Sequence, residues 1–340
     1  MNKISAMATA ADELQANAKG LKVLVTGAEL APEATELLKK NEIEIIYADG
    51  YSGSENLAEI AKTNAVDAIL VRQGKINDQV IASSSRLRVI AKHGSGVDNI
   101  DLDAATSHNI PVLRALAANS QSVAELAITL SVTLMKDVGS LSDTVKGGAW
   151  PKTKYVGRDL AGARFGIIGF GEIGRRTAKL AQGLGMETIA YDPFAEDADG
   201  TRVSRDLSEI LAQSDIVSLH CPLSPQTHHL INAERLKMMK STAFIVNTSR
   251  GAVIDEAALL DALKDGSIAG AALDSFEQEP PAADHPFWAL PNVIATPHVG
   301  GASRSALRNM AVQSAQHIVD VLTGVPFDRR ALANQNLAQN

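Results

Sequence analysis

Short apolar runs alternate with amphipathic segments from about Leu21 onward. The runs KVLVTG, EIEIIY, VDAILV and LRVIAKHG are rich in apolar residues, as expected for strands of a parallel sheet that is covered on both faces. Residues Pro32–Lys40, between the first two runs, predict a helix because proline favours the first helical turn. Strands that alternate with helices in this way predict an α/β fold.

The second half of the chain repeats the alternation. A helix is predicted over Gln121–Val138, with an apolar stripe made of Val123, Leu126, Ala127, Leu130 and Leu134. After a loop-like stretch at Trp150–Leu160, strands are predicted in ARFGIIGFG, TIAYD, IVSLHCP, AFIVNTS, IAGAALD and NVIATPH. Residues Ser303–Thr323 again predict a helix. The chain therefore contains two α/β units in series.

Composition narrows the class of protein. The 340 residues suffice for two domains, and 45% hydrophobic with 21% charged residues is ordinary for a globular protein. A net charge of −7 disfavours nucleic acid as a partner. No apolar stretch is long enough for a membrane span, and the first twenty residues lack a signal-peptide pattern. The single cysteine, Cys221, allows no intrachain disulfide, so we expect a reducing, cytoplasmic location.

A glycine motif, G-F-G-E-I-G, lies at Gly169, Gly171 and Gly174. Glycines at this spacing also occur in turns that bind nothing, but here a predicted strand precedes the motif and a helical pattern follows it. The first glycine permits a tight turn, the second lets the backbone approach a pyrophosphate, and the third allows close packing of helix on strand. The pyrophosphate would face the positive end of the helix dipole. The motif therefore predicts a dinucleotide site.

Asp192 ends the next predicted strand, about 20 residues after the motif, where an acidic residue hydrogen-bonds the ribose hydroxyls of a dinucleotide. A carboxylate there would repel a 2′-phosphate, and Pro193 and Phe194, which follow it, offer no cation. We therefore predict NAD as the cofactor in preference to NADP.

Three further segments follow predicted strands at their carboxyl ends, where open α/β sheets bind ligands. They are NTSRG with Arg250, FEQEP with Glu279 and ATPHVGG with His298. Any one of these residues alone would fit a surface charge, a loop or a solvated turn. Together, in this order, they indicate an active site.

The chain resembles the D-isomer-specific 2-hydroxyacid dehydrogenase family, most closely its phosphoglycerate dehydrogenase branch, from about Lys22 to Pro326. The resemblance rests on KHGSGVDNID, SVAE, GFGEIG, YDP, LHCPLSPQTHHLIN, NTSRGAVIDEAAL, ALDSFEQEP and TPHVGGAS. It implies a Rossmann coenzyme domain, residues 117–301, inserted into a flavodoxin-like substrate domain, residues 1–116 and 302–340. It also implies an active site between the domains and a homodimer with part of the coenzyme domain at the interface.

The family chemistry gives each of the three residues a role. Histidine takes or gives a proton near neutral pH, so His298 is the predicted acid/base at the substrate hydroxyl. A carboxylate beside it orients the ring and favours its charged form, which is the predicted role of Glu279. Arg250 offers a planar fork for the substrate carboxylate. The resemblance places Asp274 on the nicotinamide side of the site.

Successive backbone N–H groups in the loop after LRVIA form a concave nest that suits a carboxylate. Arg72, after VDAIL, is a candidate for a second anion contact, although a surface or structural charge is an equal alternative. A structural glycine turn is the alternative for the loop. The predicted substrate-binding residues are Arg72, Gly94, Ser95, Gly96, Val97, Arg250 and His298.

The segment LHCPLSPQT lies near the adenosine and nicotinamide ribose by resemblance, while Cys221 itself is more typical of a small buried or half-buried residue. The full predicted cofactor-binding set is Gly169, Gly171, Glu172, Ile173, Gly174, Asp192, His220, Cys221, Pro222, Thr227, Thr248, Ser249, Arg250, Asp274, His298, Gly300 and Gly301. No metal is predicted, because the adjacent His228 and His229 point in different directions and no His or Cys pair has ligand spacing.

The sequence therefore predicts an NAD-dependent dehydrogenase that acts on a small anionic D-2-hydroxy acid or 2-oxo acid, with 3-phosphoglycerate, glyoxylate and hydroxypyruvate among the open substrates. Two alternatives stay open: formate or phosphite oxidation on the same scaffold, and an NAD-sensing protein similar to the transcriptional corepressors. About 40 residues follow His298, and we expect no C-terminal regulatory domain of the kind found in longer phosphoglycerate dehydrogenases.

Overall fold

The structure is a computed structural model and describes residues 20–337. Of the first twenty residues, in which the sequence shows no signal-peptide pattern, all but Gly20 lie outside this range, as do the last three residues of the polar tail. The described chain divides into two units: residues 20–119 with 304–337, and residues 120–303. The boundaries predicted from the sequence, at 116/117 and 301/302, precede these by three and two residues.

The N-terminal part of the first unit is a parallel sheet with helices between its strands. The strands are β1 (Leu21–Thr26), β2 (Ile43–Ala48), β3 (Ala68–Val71), β4 (Val89–Lys92) and β5 (Val112–Arg114), in the spatial order β2-β1-β3-β4-β5. The helices are α1 (Pro32–Lys40), α2 (Ser54–Asn64), α3 (Asp78–Ala82) and α4 (Leu102–Ser107). This strand order is that of the flavodoxin-like fold.

The second unit has a seven-stranded parallel sheet, ordered β12-β11-β10-β9-β6-β7-β8. Its strands are β6 (Arg164–Ile168), β7 (Glu187–Tyr191), β8 (Arg202–Ser204), β9 (Ile216–Leu219), β10 (Phe244–Asn247), β11 (Gly270–Leu273) and β12 (Val293–Ala295). Its helices are α5 (Ser120–Lys136), α6 (Val138–Lys146), α7 (Glu172–Gly183), α8 (Leu207–Gln213), α9 (Ala233–Leu236) and α10 (Glu256–Lys264). The order reverses at β6, and the carboxyl ends of β6 and β9 flank this switch point, where α/β sheets bind dinucleotides.

The last long helix, α11 (Arg304–Thr323), returns to the first unit. It packs on α1 and β4 through a buried face that includes Ala311, Ala315 and Ile318. The first unit is therefore built from both ends of the chain, with the second unit inserted between them. This confirms the predicted fold class, a Rossmann coenzyme domain inserted into a flavodoxin-like domain.

The structure divides the long helix predicted before the second sheet. The helix predicted over Gln121–Val138 ends at Lys136, Asp137 adopts a left-handed φ of +49°, and α6 begins at Val138. Because α6 has no buried residue, it has no apolar stripe facing a core from which it could be predicted. Among the described residues, no helix combines the length and apolarity needed to cross a bilayer.

Candidate active site

The first and third glycines of the motif are required by close backbone contacts. Gly169 has φ +95°, and a Cβ there would lie 2.6 Å from the backbone nitrogen of Cys221. A Cβ on Gly174 would lie 2.2 Å from the carbonyl oxygen of Gly169. The turn after β6 therefore passes directly against the segment that follows β9, and α7 packs against the turn.

The second glycine leaves room for a ligand. Gly171 is the N-cap of the twelve-residue α7, no side chain caps it, and a Cβ on it would meet nothing within 4 Å. The free N–H groups of a helix N-terminus attract a phosphate. The neighbouring Glu172 turns towards Arg176, at 3.2 Å, on the exposed surface of the helix. The motif thus fits the pyrophosphate of a dinucleotide.

The partly exposed side chain of Asp192 holds the loop after β7 in place by accepting hydrogen bonds from the backbone. Its Oδ2 accepts a hydrogen bond from the N–H of Phe170 (2.8 Å), and its Oδ1 accepts from Phe194 (2.8 Å) and Ala195 (3.0 Å). Burial alone would raise the pKa of Asp192, but these N–H groups, together with the charge of Arg205, hold it below its ordinary value. The residue is therefore a carboxylate beside the glycine motif.

Arg205 is a cation that the sequence interpretation missed. It follows β8, and its Nη1 donates a hydrogen bond to the main-chain oxygen of Asp192. The prediction of NAD over NADP considered only the residues directly after Asp192, whereas the parallel pairing of β7 with β8 brings Arg205 alongside. A positive side chain thus lies next to the carboxylate that would select against a 2′-phosphate.

Polar atoms without partners mark the carboxyl ends of three adjacent strands. His220 Nδ1 after β9, Thr248 Oγ1 after β10 and Ser275 Oγ after β11 are buried and have no hydrogen-bond partner among the described residues. Burial lowers the pKa of His220 to about 3, so its ring is neutral. Buried polar groups in this state are costly unless a ligand or water satisfies them. Their position fits a polar cofactor that lies across these strand ends.

Several other predicted cofactor-binding residues, in the segments after β9 and β10, make contacts within the protein. Thr227 Oγ1 donates to the carbonyl of Pro222 at 2.6 Å and accepts from the N–H of Ser224 at 2.8 Å, which closes the loop. Cys221 is buried, and burial raises the pKa of its thiol to about 11. Ser249 Oγ is bound to Asn247 at 2.8 Å.

The three predicted catalytic residues come together at the strand ends of the second unit. His298 Nδ1 lies 2.8 Å from Oε2 and 3.0 Å from Oε1 of Glu279. Partial burial would raise the pKa of Glu279, but the contact with His298, the N–H of Phe276 and the charge of Arg250 outweigh it and keep the pKa below its usual value. Glu279 is therefore an acceptor, and the Nδ1 of His298 carries the hydrogen between them.

Asp274 fixes the loop that carries His298. Its side chain is buried, and its Oδ1 accepts from Thr296 Oγ1 (2.6 Å) and the N–H of Val299 (2.9 Å), while Oδ2 accepts from the N–H of Gly300 (2.8 Å). These bonds flank His298, whose backbone is left-handed at φ +53°. Sequence reasoning assigned Asp274 only to the nicotinamide side, and the structure adds this brace. The oxygen of Gly300 in turn accepts from Ser122 at 2.6 Å.

The loops bearing Arg250 and Glu279 are in backbone contact. A Cβ on Gly251 would lie 1.9 Å from the carbonyl carbon of Phe276 and 2.2 Å from the nitrogen of Glu277. Only glycine fits at such a distance. Arg250, whose Nη1 donates to the oxygen of Ser249 at 2.8 Å, is therefore held in a fixed relation to the segment that leads to Glu279.

The predicted anion loop belongs to the first unit. The N–H groups of Ser95, Gly96 and Val97 donate to no described residue, while Gly94, at φ +144°, is held by bonds to Lys92 and Ala115. Three free N–H groups in succession are what a carboxylate nest requires. The geometry of this loop is thus compatible with anion binding.

Arg72 lies at the end of β3 and is partly committed to the fold. Its Nη1 donates to the carbonyls of Ala28 and Glu29, both at 2.6 Å. Lys92, from the end of β4, reaches Asn99 Oδ1 at 2.9 Å. Burial and the charges of Arg72 and Lys92 lower the pKa of His93 to about 4, so this imidazole is neutral. The strand ends of this unit therefore combine two cations with a neutral histidine.

Residues 128–300 match the family model described as the NAD-binding domain of D-isomer specific 2-hydroxyacid dehydrogenases. A D-3-phosphoglycerate dehydrogenase from Archaeoglobus fulgidus is 37% identical over 90% of this chain and 58% of its own length. A hydroxypyruvate reductase from Thermotoga maritima is 38% identical over 85% of this chain and 94% of its own length. The chain belongs to the D-isomer specific 2-hydroxyacid dehydrogenase family.

Family membership confirms the resemblance found in the motifs and makes the second unit an NAD-binding domain. The crystal structure of the TT0316 protein from Thermus thermophilus superimposes with a TM-score of 0.84 at 32% identity, over 90% of this chain and 98% of that one. The chain spans about half the length of the curated phosphoglycerate dehydrogenases that it matches.

Asp192 and Arg205 together predict which cofactor binds more tightly. The carboxylate of Asp192 disfavours the 2′-phosphate of NADPH although the cation of Arg205 lies beside it. We expect wild type to bind NADH more tightly than NADPH, and Asp192→Asn to improve NADPH binding by about tenfold, or about 1.4 kcal/mol, because Arg205 then faces the 2′-phosphate unopposed. Calorimetric titration of each nucleotide measures the change.

Adding Arg205→Met to Asp192→Asn should abolish the gain, while adding Arg202→Met, an exposed arginine paired with Glu209, should leave it intact. Equal affinity of wild type for the two cofactors, or a gain that survives loss of Arg205, would contradict this assignment.

Proposed function

We propose that this chain is an NAD-dependent D-2-hydroxyacid dehydrogenase, in which His298 exchanges the proton and Arg250 binds the carboxylate of a small 2-oxo or 2-hydroxy acid. The observation that carries the proposal is the His298–Glu279 contact at 2.8 Å, with Arg250 close enough to affect the pKa of Glu279. An acid/base, the group that orients it and an anion-binding cation are the parts that this chemistry needs.

The tautomer of His298 follows from its partner. Nδ1 donates a hydrogen bond to the Glu279 carboxylate and keeps its hydrogen. Nε2 is therefore the nitrogen that gains and loses a proton, and it has no hydrogen-bond partner among the described residues. In the reduction direction, protonated His298 donates the proton on Nε2 to the C2 oxygen, on which negative charge develops. In oxidation, neutral His298 takes the proton of the C2 hydroxyl.

Arg250 supports both directions by binding the substrate carboxylate. Its guanidinium presents two parallel donors, which match a carboxylate and orient the adjacent C2 carbonyl. When bound, the nicotinamide cofactor would supply the hydride acceptor for oxidation at C2 and the hydride donor for reduction. Gly171, the N-terminus of α7 and Asp192 would hold the pyrophosphate and ribose of this cofactor, while His220, Thr248 and Ser275 offer unsatisfied polar atoms at the strand ends.

For the substrate, we propose a small 2-oxo acid of the glyoxylate, hydroxypyruvate or phosphohydroxypyruvate class. The named activities of the relatives support this range, as do the free N–H groups of Ser95, Gly96 and Val97. Arg72 distinguishes between members of the class, because its remaining donors suit a second anionic group. The unpaired thiol of Cys221 is compatible with the cytoplasmic location predicted from the sequence.

We also propose a homodimer that forms through the second unit. Helix α6 buries none of its residues, and Val138, Val145, Trp150 and Val156 expose between 46% and 91% of their surface. Apolar residues concentrated in one stretch of surface are typical of an interface between subunits.

The double variant Val145→Asp with Trp150→Asp should therefore be monomeric by light scattering. Val325→Asp, which changes a comparably exposed valine elsewhere, should stay dimeric. Dimers in both variants would contradict the proposal.

The proton role of His298 predicts the effect of its removal. His298→Ala should lower kcat for 2-oxo acid reduction by about 10²–10⁴-fold. NADH affinity, measured separately, reports whatever part His298 takes in holding the cofactor. Oxidation of NADH with glyoxylate, hydroxypyruvate, pyruvate, 2-oxoglutarate and phosphohydroxypyruvate is the measurement. A loss below tenfold on the preferred acid would refute the role, and no turnover by wild type with any acid would refute the proposed function.

A role for Arg72 in binding a second anion predicts a selective change in KM. Arg72→Ala should raise KM for phosphohydroxypyruvate and 2-oxoglutarate by at least tenfold more than for glyoxylate, which has no second anionic group. Arg88→Ala is the matched control, since Arg88 also binds two main-chain carbonyls of this unit, those of Val321 and Leu322. Equal increases for all three acids would assign Arg72 to the fold instead.

A further inference from the structure

One residue, His229, bridges the loop of Arg250 and the loop of Glu279, the first through its backbone and the second through its side chain. The N–H of His229 donates to the oxygen of Ala252 at 2.8 Å, two residues after Arg250. Its ring Nε2 lies 2.9 Å from Oε1 of Glu277, two residues before Glu279. His229 belongs to the loop after β9, so it links three segments that the sequence separates widely.

Glu277 is itself part of a reciprocal contact with the start of α10. The N–H of Glu277 donates to Oε1 of Glu256 at 2.8 Å, and the N–H of Glu256 donates to Oε1 of Glu277 at 3.2 Å. Glu256 pairs on its other side with His285, at 3.4 Å between Oε2 and Nε2. Two carboxylates are thus held near each other, each opposite one histidine.

This arrangement, which we call the Glu277 brace (His229, Glu256, Glu277 and His285), sets the path of the chain just before Glu279. Phe276, one residue further back, donates its N–H to Glu279 Oε1 at 3.0 Å, the same oxygen that His298 contacts. His285 also packs against Phe276, with ring centroids 6.1 Å apart. A shift of residues 276–277 would therefore displace the carboxylate that orients His298.

The backbone of His229 gives an independent reason to look for a role. Its φ is +49°, in the left-handed region that is unfavourable for residues with a Cβ. A glycine or asparagine would fit this conformation better. The ring is bonded to Glu277 and stacks on His228, with centroids 4.0 Å apart, so the sequence-based expectation that these two adjacent side chains point in different directions was wrong. A histidine held in this conformation indicates that the ring is used.

We propose that His229 and Glu277 are positioning residues for the reaction, which hold Glu279 at the distance from His298 that keeps the acid/base oriented. The proposal rests on the proposed function for its kinetic consequence but not for its geometry. Neither residue needs to touch substrate or cofactor. Their effect passes entirely through Glu279.

The test uses His229→Asn, because asparagine tolerates the left-handed backbone but is too short to keep the contact with Glu277. We expect kcat for the preferred 2-oxo acid to fall by about 10- to 100-fold, the loss typical of a misplaced catalytic group, with NADH binding unchanged. The loss should fall on kcat and leave KM for the acid nearly unchanged, because neither His229 nor Glu277 needs to touch the substrate. Glu277→Gln should act in the same direction.

Two controls separate positioning from stability. His108→Asn breaks a pair of the same length, 2.9 Å to Asp78, at a similarly exposed histidine in the other unit, and should change neither kcat nor KM. In a Glu279→Gln background, His229→Asn should cause no further loss, because the group that it positions is already disabled. An undiminished further loss there, or an unchanged kcat in the single variant, would overturn the proposal.

A second readout is independent of turnover. Histidine-selective NMR at a fixed pH, with the His298 signal assigned from a His298→Gln variant, should show the His298 ring resonances displaced in His229→Asn and in place in His108→Asn, because the ring loses its fixed contact with Glu279. An unmoved His298 signal would overturn the proposal even if activity fell. If wild type reduced no 2-oxo acid, the proposed function would fail, while this comparison of spectra would still decide whether His229 acts on the Glu279–His298 pair.

Discussion

The contact between Glu279 and His298 is the interaction on which the rest of the active site depends. It leaves Nε2 as the ring nitrogen of His298 for the proposed proton exchange, and it keeps the pKa of the Glu279 carboxyl low although the site is partly buried. Neither residue lies in a helix or strand. Each must therefore be held in place by contacts from outside its own loop.

The two loops are held by different means. The His298 loop is fixed by Asp274, a buried carboxylate whose three accepted hydrogen bonds are worth about 1.5–3 kcal/mol each for a charged partner. The Glu279 loop is fixed by steric contact with Gly251 and by Glu256 and Glu277. The positive φ values at His298 and His229 are tolerated because these surroundings determine the backbone conformation. Local strain thus coincides with the residues that the proposed chemistry uses.

Patterning predicted the fold because the core strands are short apolar runs, such as AILV in β3 and FIVN in β10, with helices between them. It missed α6, which buries nothing, and the three-residue strands β5 and β8, which are too short to show a period. The missed β8 also concealed Arg205, since only its pairing with β7 brings that cation to Asp192.

The candidate site was predictable where residues directly follow strands, as Arg250, Asp274 and His298 do. The braces were not, because they join residues far apart in sequence: Ala252 with His229, and Glu256 with Glu277. Gly251 offered a weak signal, a glycine directly after a candidate catalytic arginine. Nothing in the sequence distinguishes the carboxylate of Glu277 from an ordinary charge in a loop.

The most direct test of the proposed active site is a crystal structure of the protein with NADH and oxamate, an unreactive analogue of a small 2-oxo acid. We expect the oxamate carboxylate on the guanidinium of Arg250 and its C2 oxygen within about 3 Å of His298 Nε2, with Nδ1 still bound to Glu279. An oxamate bound away from Arg250, or a His298 ring turned so that Nε2 meets Glu279, would contradict it.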